Sequence, residues 1–315
     1  MANVNPASVF QPYATPSPTT VRLRRTLGPD WVLGWMLLAP VLVVLIGLMA
    51  FPFFTAIRMS FEDRLLGGAG TWVGFANYAE ILSNSGFAIQ AAINTVVYTA
   101  FSVGIKFVIG MSMAAIVNHH IIWRDFWRGL LFLPWAVPAI VAAYTWKFIY
   151  DPDGFLNILL IDQLKVSSNF INFLGDPSYA MPALIAMNVW TGTPFYTMNF
   201  LAGMQSISED QYEAAEIDGA GTWQRFLAIT LPSLSGVILI TTMLSAIWTS
   251  SNILQIYVLT MGGPQHLTAT IPFYAYELAI QQKRIGAGAA VSMLMVPAYI
   301  VLVVFLSRKM LKQEA

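Results

Sequence analysis

Residues 213–232 read Glu-Ala-Ala-Glu-Ile-Asp-Gly-Ala-Gly-Thr-Trp-Gln-Arg-Phe-Leu-Ala-Ile-Thr-Leu-Pro, a polar, helix-prone segment set between two long apolar stretches. Ser208 followed three residues later by Gln211 predicts a capping box at the start of a short helix. Glu209, Asp210 and Glu213 then fall in the first turn, where the helix dipole favours negative charge. Gly219 and Gly221 are expected to end that helix through backbone angles other residues resist, and Pro232 to open the next. Ala214, Ala215, Gly219 and Ala220 carry little side-chain bulk, so a partner protein can approach this backbone closely.

Composition sets the surroundings of that segment. The 315 residues are 57% hydrophobic and only 10% charged, against about 25% charged in ordinary soluble domains. The chain therefore reads as a multi-span membrane protein. A formal net charge of zero, with basic residues scattered along the chain, excludes the basic stripe of a nucleic-acid binder. With no cysteine there is no disulfide and no thiolate chemistry. His119, His120 and His266 supply no HExxH or similar ligand spacing, so no metal site is expected.

Residues 1–30 hold Pro6, Pro12, Pro16, Pro18 and Pro29 among small polar residues, which predicts a cytoplasmic tail, disordered or interfacial, without a cleaved signal peptide. Apolar spans are expected at about 31–57, 88–116, 129–149, 180–204, 233–258 and 285–307, each long enough to cross the bilayer as a helix. Six crossings put both termini on one side. That side carries nine basic residues (Arg22, Arg24, Arg25, Arg124, Arg128, Arg225, Arg308, Lys309, Lys312), against six (Arg58, Arg64, Lys147, Lys165, Lys283, Arg284) on the other. The bias places the termini and the Glu213 segment in the cytoplasm. The loops near 58–87 and 150–179 then face outward, too short to be domains.

Polar residues recur inside the expected spans. In the fifth, Thr241, Ser245, Trp248, Thr249, Asn252 and Gln255 follow at intervals of three and four and share one face. Such a stripe serves either as hydrogen-bonding glue between helices or as the wall of a path for a neutral, hydroxyl-rich ligand. The fourth span repeats it with Asn188, Thr191, Gly192, Phe195 and Asn199, interrupted by Pro194, which marks a packing kink or a cavity. Aromatic Trp190, Phe195, Tyr196 and Trp248 beside these polar groups suit a sugar, whose rings present hydroxyls at the edge and C–H bonds on the face. Lys106 is the one clear charge within a span, and its place toward the cytoplasmic half predicts that it snorkels to the interface. Gly286 to Ala290 form a small-residue surface suited equally to a partner or to internal packing.

The pattern Glu213-Ala214-Ala215, three residues, Gly219, nine residues, Ile229, one residue, Leu231-Pro232 resembles the signature cytoplasmic loop of permease subunits of binding-protein-dependent ABC importers. The likeness continues through Leu259-Thr260-Met261-Gly262-Gly263-Pro264, as in carbohydrate-uptake permeases of the maltose type, and covers essentially all of 31–310. Ser235 departs from it, standing where many members carry a second proline. The resemblance implies an all-α integral membrane protein with six transmembrane helices in the type I ABC importer permease fold: one transmembrane domain over 31–310, with a coupling loop at 205–232. It implies a second, homologous permease subunit, two cytoplasmic ATP-binding cassette subunits and an extracytoplasmic sugar-binding protein as partners. By the same resemblance Glu213, Ala214, Ala215, Asp218 and Gly219 engage the ATPase. Thr191, Gly192 and Phe195, with Ser245, Trp248, Thr249 and Asn252, match the ligand-contacting positions of the maltose permease. Trp248 and Thr249 stand where that pattern has a smaller aromatic and an amide.

The expectation is thus a translocation subunit, not an enzyme, in a bacterial or archaeal cytoplasmic membrane. No GxxxxGK[ST] phosphate loop is present, so the chain is expected to bind no cofactor, ATP and Mg being used by the partner ATPase subunits. An ion-coupled sugar carrier would need titratable groups at mid-membrane, and Lys106 alone qualifies. An intramembrane enzyme could be imagined at Gly110-Met111-Ser112-Met113, but no span offers a histidine to activate the serine. An importer of glycerol phosphate-type substrates is the remaining alternative.

Overall fold

The computed structural model describes residues 31–83, 85–119, 122–166 and 168–311. The expected tail 1–30, with Arg22, Arg24 and Arg25, lies outside the described residues, as do His120 and Lys312. The backbone divides into a unit Met1–Ala56 and a unit Ile57–Ala315.

The first unit holds most of α1, an apolar helix over Trp31–Ser60 with mean hydropathy 2.6. Pro40 lies within it, and one π-helical turn occurs at Ile46–Ala50. Thirty residues at about 1.5 Å each reach about 45 Å, enough to cross hydrocarbon about 30 Å thick.

The second unit opens with a hairpin, β1 (Glu62–Asp63) against β2 (Thr71–Trp72), followed by α2 (Ala76–Ser83) and the long α3 (Ser85–Asn118). Then come α4 (Arg124–Ala136), α5 (Ala139–Ile149), α6 (Ala180–Gln205) and α7 (Glu209–Ile217). Short helical turns over Thr222–Arg225, Phe226–Thr230 and Leu231–Ser233 lead into α8 (Ser235–Ser250) and α9 (Leu254–Leu259). The chain continues through α10 (Ile271–Tyr276), α11 (Ile285–Met293) and α12 (Met295–Leu311).

Among the described residues four stretches are long and apolar enough to span a bilayer: α1, Gly86–Asn118 in α3, Ser235–Leu259 through α8 and α9, and Ile285–Lys309 through α11 and α12. The expected span at 129–149 is instead a bent pair, α4 and α5 meeting at 92°, and counts as a fifth crossing if the two halves act as one. Val137 is extended, with φ −74° and ψ 128°, because the ring of Pro138 disfavours helical geometry in the residue before it. The expected span at 180–204 is a 26-residue helix, long enough to cross but not among the four. Its hydropathy is diluted by Asn188, Thr193 and Thr197, which are buried inside the protein in place of lipid, and by the half-buried Thr191 and Asn199.

That covering defines the centre of the unit. Helix α6 buries residues on every side, from Ala180 and Leu184 to Phe200 and Met204. It lies against α3 so closely that a Cβ on Gly110 would overlap Tyr196 Cβ, so this crossing requires a residue without a side chain. Toward one end Tyr98, Met187, Ile256 and Phe273 form one core, and toward the other Met111, Phe200, Met204 and Leu234 form another. Three buried threonines within the helices are satisfied locally: Thr95 donates to Ala91 O, Thr193 to Val189 O and Thr197 to Thr193 O. The small surface of α11 is spent on internal packing, with Gly286 against the Glu62 backbone and Gly288 so close to its neighbour that a Cβ there would stand 2.6 Å from Ala279 Cβ.

The loops outside the spans are tied down by side chains. Asn77 Nδ2 donates to Ser60 O and Glu62 O, both at 2.9 Å, fixing α2 to the hairpin. Arg284 grips Glu80 with two nitrogens, at 2.7 and 2.5 Å. This hydrogen bonding holds the Glu80 carboxyl below its ordinary pKa and raises that of Arg284.

Candidate functional site

The sequence singled out two regions, and both are formed. The first is the polar segment after α6. Ser208 has the extended backbone of a helix cap, and its Oγ accepts from Asp210 N at 3.3 Å. Gln211 does not reciprocate as a capping box requires. Half of that device occurs one helix later, where Gln224 Oε1 accepts from Gly221 N at 2.8 Å, Gly221 having no side chain to return the bond. Gly219, with φ +80°, ends α7 in a Schellman arrangement: Ala220 N donates to Ala215 O at 2.9 Å and Gly219 N to Glu216 O at 3.0 Å. Gly221, expected to end the helix as well, has φ −68° and begins the next one.

The two helical pieces are braced against each other. Arg225 pairs with Glu216 at 2.7 Å, and the hydroxyls of Tyr212 and Thr230 lie 2.8 Å apart. Glu213, Ala214, Asp218 and Gly219 are exposed and Ala215 is half-buried. Ile217 is 87% exposed and Trp223 69% exposed, so a rigid knob offers two large apolar side chains to a partner. A cavity of about 880 Å³ beneath it runs from Glu213 and Trp223 to Phe107 and Met111 on α3.

The second region is the polar face of α6, α8 and α9. Thr191, Gly192, Phe195 and Asn252 are half-buried and Trp248 is 54% exposed, while Ser245 and Thr249 are buried. The expected ligand positions therefore divide into an open wall and a layer behind it. Phe195 and Trp248 meet with ring centroids 5.1 Å apart, joining α6 to α8 on the open side. The fifth span is interrupted here: α8 ends at Ser250, α9 begins at Leu254, and Asn252 Oδ1 accepts from Gln255 N at 3.2 Å across the gap.

Lys106 does not snorkel. It is 3% exposed, and its Nζ donates to Asn188 Oδ1 at 2.9 Å and to Thr249 Oγ1 at 2.8 Å. Thr249 lies in the last turn of α8, where the helix dipole favours a cation, so the two hydrogen bonds and the helix end together offset part of the cost of burying the ammonium. From Asn188 the network continues: Asn188 Nδ2 donates to Gln255 Oε1 at 2.9 Å, as does Tyr98 OH at 2.5 Å, and Gln255 Nε2 donates to Thr191 Oγ1 at 3.3 Å. Gly192 makes room for the lysine stem, since a Cβ there would stand 2.6 Å from Lys106 Cδ. The stripe of α6 and α8 is thus glue in its buried half and an open surface in the other. Sequence reasoning missed Tyr98 and the partners of Lys106, although Tyr98, Ser102 and Lys106 recur every fourth residue on one face of α3 and are all buried.

The expected ligand positions do not line a second groove of the unit. About 910 Å³ in volume, it runs along α3, α4 and α6 between residues such as Phe101, Leu130, Met181 and Trp190, and is almost wholly apolar.

Comparison with known proteins agrees with this architecture. The sequence profile of the family "Binding-protein-dependent transport system inner membrane component" matches residues 106–313. The trehalose/maltose transport system permease protein MalF of Thermococcus litoralis is 35% identical over 263 residues, 83% of this chain and 88% of that one. The diacetylchitobiose uptake system permease protein DasB of Streptomyces coelicolor is 28% identical over 287 residues, 89% of this chain and 87% of its own. A chain of a bacterial ABC transporter involved in import of the acidic polysaccharide alginate superposes with a TM-score of 0.77 at 24% identity, covering 91% of this chain and 98% of its own. The fold is that of a type I ABC importer permease, multi-pass and membrane-embedded. With two thirds of its length matched by the profile and a 35% identical relative along most of its span, this chain belongs to the family of inner membrane components of binding-protein-dependent transport systems.

Proposed function

We propose that this chain is one of two homologous permeases in an ATP-driven importer of di- or oligosaccharides, supplied by an extracytoplasmic sugar-binding protein. The observation that carries this reading is the open wall formed by Thr191, Phe195, Trp248 and Asn252: two aromatic rings in contact, beside neutral hydroxyl and amide groups. Pyranose rings pack on aromatic faces while their hydroxyls exchange hydrogen bonds with neutral polar groups. The wall is open on one side, and the second permease closes it. Trehalose, maltose and diacetylchitobiose, named for the relatives, are all disaccharides that such a wall accommodates.

The termini and α7 face the cytoplasm, following the nine-to-six bias of basic flanks. There the knob built on Glu213, Ala214, Ala215, Asp218 and Gly219 seats in a cleft of a cassette ATPase. ATP and Mg are bound by those two subunits and no cofactor by this chain. Closure of the ATPases on ATP draws the knobs of the two permeases together, turns the spans outward and lets the docked binding protein release sugar to the wall. Hydrolysis resets the inward-facing state. The ion pair of Arg225 with Glu216 and the Tyr212–Thr230 contact make the knob stiff enough to transmit that motion into α8.

The experiment is uptake of a panel of labelled sugars by proteoliposomes containing both permeases, the ATPases and the binding protein. ATP-dependent uptake of a neutral oligosaccharide is the expected result. Accumulation by this chain alone, without ATPase subunits, would overturn the reading.

A further inference from the structure

Arg124 and Arg128, one turn apart on α4, converge on a single residue, the exposed Gln205 that ends α6. With its amide oriented to face these donors, Gln205 Oε1 accepts from Arg124 Nη2 at 3.0 Å and from Arg128 Nη2 at 2.7 Å. Two guanidiniums held on one oxygen repel each other, and among the described residues the one carboxylate paired with either is Asp125, 3.9 Å from Arg128 Nη1 with its side chain 99% exposed. The Nε of each arginine is buried without a hydrogen-bond partner among the described residues, so the outward-facing Nη groups are the ones that can meet a ligand. A pair of like charges with planar donors is complementary to an anion carrying several oxygens, a phosphate above all.

The surroundings say which phosphate. Trp123, Phe126 and Trp127 on the same helix are exposed, and the apolar remainder of α4 runs on from them. Aromatic rings beside arginines at the edge of an apolar segment are the composition of a membrane–water interface. We infer that Arg124, Arg128 and Gln205 form a site for the phosphodiester headgroup of an anionic phospholipid, seated where α6 passes into the segment 205–232. The site rests on the membrane orientation proposed above but not on the identity of the sugar. Its consequence is that the root of the ATPase-facing knob is braced by lipid as well as by protein.

Native mass spectrometry of the complete importer from nanodiscs of phosphatidylcholine mixed with phosphatidylglycerol reads the site directly. The wild type should retain one phosphatidylglycerol that R124Q/R128Q releases. Affinity for that lipid should fall by about thirtyfold, roughly fivefold per arginine, and R124K/R128K should keep most of it. Equal retention by wild type and R124Q/R128Q in an assembled complex would overturn the inference. So would displacement of the lipid by millimolar inorganic phosphate, which would make this a site for the free ion. Retention of the lipid by the isolated permease pair but not by the complete importer would also overturn it, assigning the arginines to an acidic side chain of the ATPase instead. Sugar-stimulated ATP hydrolysis by the wild type, followed in the same discs, tests the transport reading separately.

Discussion

Replacing Gly192 with alanine is a small change with a large expected effect, because the room on that side of α6 is already taken. A methyl on residue 192 would stand 2.6 Å from Lys106 Cδ and 3.3 Å from its Nζ. Lysine stems are flexible, but this one is pinned at its tip by Asn188 and Thr249. Either the crowding is tolerated, at about 1–3 kcal/mol for an overpacked core, or the tip shifts and one hydrogen bond to a charged group is lost, at about 1.5–3 kcal/mol. The cheaper route prevails, so the two costs do not add; where the strain falls on the packed arrangement that the transport cycle passes through, about 2 kcal/mol corresponds to roughly a thirtyfold fall in kcat/KM for uptake. K106A frees the space and removes the pinned tip, so G192A should cost almost nothing in that background. The assay is ATP-dependent uptake by proteoliposomes with wild type, G192A, K106A and the double variant, normalised to assembled complex. The reasoning fails if G192A lies within about twofold of wild type, or if it reduces uptake by the same factor in both backgrounds, since independent sites combine additively in free energy.

Three other outcomes follow from the geometry. Valine at position 219 must adopt φ near +80°, a left-handed conformation costing about 1–2 kcal/mol and more for a β-branched residue, so G219V should abolish uptake while membrane insertion, read by fractionation, is unchanged. W248A and N252A remove exposed or half-buried side chains, so complex yield should hold while the ranking of sugars in competition assays changes; an unaltered ranking would count against the wall. The Glu80–Arg284 pair carries a pH signature. Its carboxyl is held below the ordinary 4.5 by Arg284, so its contribution is complete above that pH and is lost as pH falls through the lowered value. Thermal inactivation of E80Q should therefore depend less on pH below about 4.5 than that of the wild type.

Legibility in the sequence followed the range of the interactions. The knob could be read because its signals are local: a serine cap, acids in the first turn and a glycine whose left-handed backbone completes the Schellman bonds within six residues. Local signals leave the task of Gly221 open, since either glycine can close α7, and only the folded chain shows Gln224 bonding the second. The place of Lys106 is not local: its partners are 82 and 143 residues away, and hydropathy holds nothing about a buried lysine that finds neutral acceptors at a helix end. Length and apolarity located the segment 129–149, while the turn at Val137 and Pro138 depends on one backbone angle that window averages conceal. Helix α6 shows the converse: the side chains that lower its hydropathy are the ones that place it at the centre.

Asn252 has one carbonyl and two claims upon it. In the folded chain that oxygen secures the first free N–H of α9 after the interruption at 251–253, yet the same residue stands on the open wall. That oxygen has a second lone pair, so a guest hydroxyl that donates to it shares the acceptor with the capping bond, and loading the cargo is felt through a single atom by the joint between the two rods of the fifth span.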